Sequence, residues 1–70
     1  MKAQEWLDAF AHQLGVDPPD EATMEALLAV ASNAAHTSER LAAPIACYLI
    51  GLAGADVATA LATSEAIRGD

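Results

Sequence analysis

Apolar and polar positions divide the chain into four periodic stretches separated by turn residues. In the first, Ala3, Trp6, Leu7, Phe10 and Leu14 fall on one face of a 3.6-residue repeat, while Glu5, Asp8, His12 and Gln13 lie away from it. The spacing predicts a helix over about Lys2 to Leu14. Gly15 stops it, because glycine accepts the left-handed conformation that ends many helices. His12 sits near that end, where a cation favours the helix dipole, and is expected to be solvated.

Asp17-Pro18-Pro19-Asp20 is a connector with two fixed φ angles. Asp20 suits the N-cap of a second helix, with Asp17 capping a start at Pro18 as the alternative. That helix is expected to reach His36 and to bury Met24, Leu27, Leu28, Ala31 and Ala35. Asn33, Thr37 and Ser38 lower helix propensity at its end and favour a turn.

The most apolar run of the chain follows, from Ile45 to Ala53. Ile45, Tyr48, Leu49 and Leu52 form a stripe, yet Cys47, Ile50 and Ala53, which fall off it, are apolar too. A helix apolar nearly all round belongs inside a protein. Nine residues are too few to cross a bilayer, which takes about 20. Pro44 suits the first position of this helix and Ala43, before a proline, is biased towards an extended conformation. A third helix is therefore expected from Pro44, with Leu49 at the centre of the core. Gly54-Ala55-Asp56 reads as a C-cap followed by an N-cap. The fourth helix then turns Val57, Ala60, Leu61, Ser64 and Ile67 inward and ends near Arg68-Gly69; a single kinked helix from Pro44 to Arg68 is the alternative. The expected fold is all-α: a compact bundle of four short helices around a buried central third helix, in one domain spanning residues 1–70.

Composition narrows the function classes. Of the 70 residues 54% are apolar, but 18 of these are alanine, so the core is small and built for close helix approach. Ten acids against three bases give a net charge of −7, which opposes nucleic acid and anionic membranes alike. The lone Cys47 excludes an internal disulfide and reads as core filling in a reducing compartment. Lys2, Glu5 and Asp8 leave no apolar signal region, so a cytoplasmic location is expected.

Candidate chemistry concentrates between the second and third helices. His36, Glu39 and Arg40 are the only titratable cluster in the middle of the chain, and Arg40 is the only base between Lys2 and Arg68. One reading is an anion site, in which Arg40 and the N–H groups at the start of the third helix grip a phosphate or carboxylate. The blander and favoured reading is a junction clamp, with Arg40 paired to a local acid or to the last carbonyls of the second helix. No metal-binding spacing is present, and Cys47 lies too deep in the apolar run to serve with His36 as a nucleophile pair. Neither a catalytic motif nor a glycine-rich phosphate loop is present, so no enzyme activity, cofactor or metal is expected.

The stretch A-A-H-T-S-E-R-L-A-A-P-I-A-C-Y-L-I-G-L-A-G, residues 34–54, resembles a small actinobacterial helical family of unknown function. That family occurs free-standing and as an extension of molybdenum cofactor guanylyltransferases. The shared pattern falls on Ala35, His36, Glu39, Arg40, Ala42, Ala43, Pro44, Gly51 and Ala53, and Trp6 with Leu14-Gly15 also fits. Leu41 departs from it, standing where relatives often carry a proline. The resemblance implies an accessory role without nucleotidyl transfer, since the catalytic domain is missing here.

Two classes of function follow. The first is a non-catalytic accessory or binding module of molybdenum cofactor (molybdopterin-guanine dinucleotide) biosynthesis, engaging a guanylyltransferase or another protein, or a cofactor intermediate at His36, Glu39 and Arg40. The second is a structural, dimerisation or protein-interaction domain with no small ligand, for which a homodimer is one form. An acyl-carrier role is disfavoured, because Ser32, Ser38 and Ser64 lack the Asp-Ser-Leu setting of a carrier serine.

Overall fold

The structure, a computed structural model, describes residues 1–67 and contains four helices: α1 (Ala3–Leu14), α2 (Glu21–Thr37), α3 (Ala42–Ala53) and α4 (Val57–Ala66). No strand occurs among the described residues. The all-α class follows from composition, since alanine-rich periodic stretches favour helix and β-branched residues are few.

The turn chemistry places most boundaries. Gly15 adopts φ +77° and ends α1, with its own N–H donating to the His12 carbonyl and the Val16 N–H reaching back to the Ala11 carbonyl at 3.0 Å. Gly54 does the same for α3 at φ +63°, the Ala55 N–H donating to the Ile50 carbonyl at 3.3 Å. These paired bonds satisfy carbonyls that the helix itself leaves open. The Asp20 carboxylate accepts from the Thr23 N–H at 2.8 Å and the Asp56 carboxylate from the Thr59 N–H at 3.1 Å, capping α2 and α4. A single kinked helix from Pro44 onward is thereby ruled out. α3 begins at Ala42, two residues before the proline. A proline is tolerated there because none of the first N–H groups of a helix has an intrahelical partner. The Arg68-Gly69 end expected for the last helix lies outside the described residues; Ile67 already has extended angles, so α4 stops at Ala66.

The third helix is not the buried centre that its hydropathy suggests. Close packing between helices is confined to α2 with α3 and α2 with α4. The hub is α2, and the most buried residue is its Val30, 3% exposed. Ile45, Tyr48, Leu49 and Leu52 are each more than half exposed. The reason is supply of partners. A helix apolar all round can be buried only if other elements surround it, and neither α1 nor α4 packs closely on α3 among the described residues. Leu28 is likewise exposed, contrary to the expected inward set of the second helix.

Packing on α2 uses small residues. Besides Ala42 at its start, the half-buried positions of α3 are Ala43, Ala46, Cys47 and Ile50, which lie on one face. Opposite them α2 offers Ala26, Leu27, Val30 and Ala34, also sheltered, and the Cys47 sulfur lies 4.0 Å from the Leu27 carbonyl. Between α2 and α4 a polar latch forms, in which the Asn33 amide donates to the Ser64 hydroxyl at 3.0 Å and that hydroxyl donates to the Leu61 carbonyl at 2.7 Å. The expected inward positions Val57, Ala60, Leu61 and Ser64 are sheltered, and Ile67 is not.

Candidate functional site

His36 stands in the last turn of α2, Glu39 and Arg40 in the turn that joins it to α3, and all three are exposed. The His36 Nδ1 lies 3.4 Å from the Ser32 hydroxyl one turn earlier. The helix ends because Thr37 and Ser38 turn their hydroxyls back onto the Asn33 and Ala34 carbonyls, at 2.7 and 2.6 Å. Such back-bonding competes with the next helical hydrogen bonds. None of the side-chain hydrogen bonds among the described residues involves Arg40, so the clamp contact is not formed there.

The backbone at this junction offers little to an anion. The Ala42 N–H donates to the Glu39 carbonyl at 2.9 Å and the Ala43 N–H to the Arg40 carbonyl at 3.2 Å. Pro44, next in line, has no N–H. The three positions that open α3 therefore present no spare donor, and an anion there would be held by side chains alone. Among the described residues no group of three or more His, Cys, Asp or Glu side chains is placed to hold a metal ion, and no helix is long and apolar enough to cross a membrane.

The more distinctive surface is apolar. Along α3 and the turn before it, Leu41, Ile45, Tyr48, Leu49 and Leu52 project outward, Tyr48 being 64% exposed, while Ala42, Ala43 and Ala46 of the same helix are half-buried. The usual order is reversed: the bulky side chains lie outside and the small ones inside. α1 shows the same inversion. Its one buried residue is Ala11, whereas Trp6, Phe10 and Leu14 are exposed, the two rings stacked on each other with centroids 4.8 Å apart. The stack shelters the rings from each side of one helix turn but does not anchor α1 to the rest.

A valley runs between α3 and α4 because both pack on α2 and not closely on each other. One hollow in it, about 270 Å³, is lined by Leu49, Ile50, Ala53, Thr59, Thr63 and Ile67, with Val30 at the floor. A neighbouring hollow of about 330 Å³ shares Val30, Ala46, Ser64 and Ile67 and extends to Thr37 and Ser38. Among the described residues no charged side chain lines either hollow. A further hollow of about 470 Å³, lined by Gln4 and by Met24, Glu25 and Leu28, lies between α1 and the start of α2.

Sequence reasoning buries α3 all round and so misses the exposure of its bulky residues. The signal was present in the opposite stripe, Ala43-Ala46-Cys47-Ile50, which matches the alanine-rich α2 in size. Hydropathy predicts burial all round α3 and does not say that only its small-residue face finds a partner.

The sequence matches, over residues 1–69, the family described as "Domain of unknown function (DUF6457)", and the chain belongs to that family. No curated protein and no solved structure matches it.

Proposed function

We propose that this member of a family of unknown function is a non-catalytic helical interaction module, working by contact with protein and not by chemistry of its own. The observation that carries the reading is the inverted helix α3, which shelters Ala42, Ala43, Ala46 and Cys47 and leaves Leu41, Ile45, Tyr48, Leu49 and Leu52 in water. Contiguous exposed apolar surface on a small domain marks a place that another chain covers. A net charge of −7 keeps such a chain soluble while the apolar face waits for its partner.

The finer placement rests on the resemblance of residues 34–54 to an actinobacterial family that also extends molybdenum cofactor guanylyltransferases. On that footing the module serves molybdopterin-guanine dinucleotide biosynthesis in the cytoplasm, and a guanylyltransferase is the partner to try. A phosphorylated cofactor intermediate is the weaker candidate, because the amides of Ala42 and Ala43 are engaged and Pro44 has none. The test is a calorimetric titration of the chain with a purified guanylyltransferase, and separately with GTP and molybdopterin. Saturable binding to the enzyme, with no heat from the small molecules, is the expected result. Binding of molybdopterin that is lost in Arg40→Lys, with no protein complex, would overturn the reading in favour of an anion site.

A further inference from the structure

Resting on the reading of the chain as an interaction module, we propose that α3 is the seam of a two-fold homodimer, in which two copies pack their α3 helices antiparallel.

The first support is surface area. A compact monomer of 7.2 kDa is expected to expose about 4,100 Å², whereas this chain exposes 5412 Å². The excess is roughly 1,300 Å², and a specific interface takes about 800 Å² from each partner. The surplus is shared between the outward face of α3 and the exposed Trp6, Phe10 and Leu14 of α1, and as a whole it is large enough to include one such contact.

The second is the spacing of the seam. Leu41, Ile45, Tyr48 and Leu52 are separated by four, three and four residues, the alternation by which one helix lays knobs along another. The set is also self-complementary under a two-fold axis. Leu41 and Leu52 share a midpoint between Ala46 and Cys47, and so do Ile45 and Tyr48. An antiparallel pair centred there sets Leu41 against Leu52 of the second copy and Ile45 against its Tyr48, each contact occurring twice, as an isologous interface requires. Leu49 flanks the seam and leads into the valley beside α4.

Charge is the third. No acid or base lies between Leu41 and Ala55, so two chains of net charge −7 can meet there without pressing carboxylates together. The same pairing gives Arg40 a role. At the start of its own α3 it opposes the helix dipole, and it has no side-chain hydrogen bond among the described residues. In the antiparallel pair the turn that carries it lies level with the carbonyl end of the second copy's α3, where a cation is favoured.

The test is sedimentation equilibrium of the full chain over a range of concentrations, with helicity followed by circular dichroism. Wild type should sediment at twice the chain mass with a dissociation constant in the micromolar range or tighter. Tyr48→Asp should be helical and monomeric, since Tyr48 is more than half exposed in the single chain. Arg40→Glu, at an exposed turn position whose side chain makes no hydrogen bond among the described residues, should weaken the dimer roughly tenfold. Should Tyr48→Asp unfold, Arg40→Glu decides alone. A wild type that stays monomeric up to millimolar concentration overturns the homodimer. So does a dimer that persists unchanged in both variants. A monomeric wild type that still binds a guanylyltransferase would overturn the homodimer while leaving the interaction module standing.

Discussion

The sharpest consequence of the hub on α2 is that shortening Val30 should harm the fold more than shortening the larger Leu49. Val30 is 3% exposed beneath α3 and α4, whereas Leu49 is 54% exposed. Val30→Ala removes two buried carbons, at about 0.8 kcal/mol each. The void left behind adds up to about 1 kcal/mol, limited because the valley above it is open and can relax. The total is about 2 kcal/mol. Leu49→Ala removes three carbons, of which the folded chain shelters less than half, giving about 1 kcal/mol. For a domain of this size each kcal/mol moves the midpoint of a thermal melt by about 4–8 °C, so Val30→Ala should lower it by roughly 8–16 °C and Leu49→Ala by about half that. The assay is a melt followed at 222 nm in dilute protein, where association adds nothing. Leu49→Ala melting lower than Val30→Ala under those conditions would restore α3 as the core and refute the argument.

Three further outcomes are expected. Gly54→Ala should destabilise by about 1 kcal/mol, because a side chain at φ +63° crowds the following carbonyl. The same change at Gly51, which is helical with nothing within 4 Å of an added Cβ, should stabilise by about 0.5–1 kcal/mol in dilute protein; melts of the two variants against wild type check both signs. The Asp20 carboxyl is held below its ordinary value by the Thr23 N–H and then by the Thr23 hydroxyl. Its contribution to stability is thus fully present above the unfolded value near pH 4 and is lost as pH falls through the lower folded one, so denaturant titrations across that window should show a steeper loss in wild type than in Asp20→Asn.

Much of the fold was legible because it is written in local chemistry. Gly15 and Gly54 each take the left-handed angle expected of them, Asp20 and Asp56 cap as their side chains allow, and the four-helix count follows. The start of α3 was misplaced by two residues because proline is compatible with any position of a first turn, not the first alone. The core was misread for a different reason. Periodicity says which residues share a face of α3, but which face meets α2 depends on size matching with Ala26, Val30 and Ala34, a property of two helices at once. The exposure of Trp6 and Phe10 belongs to the same class, since nothing within α1 says whether another helix will cover it. At the junction, the placing of His36, Glu39 and Arg40 around the end of α2 follows from the turn signals Thr37 and Ser38. The engagement of the Ala42 and Ala43 amides does not, because it depends on how tightly the chain turns between the helices.

The central claim is that α2 holds the fold together while the bulky face of α3 is kept for another copy. Amide hydrogen exchange, read residue by residue at dilute and at concentrated protein, tests it most directly. The account predicts that α2 around Val30 is the most protected segment at both concentrations. Protection across Ile45 to Leu52 should rise with concentration, as association closes the seam. Slowest exchange in α3 already in dilute protein, with no response to concentration, would contradict it.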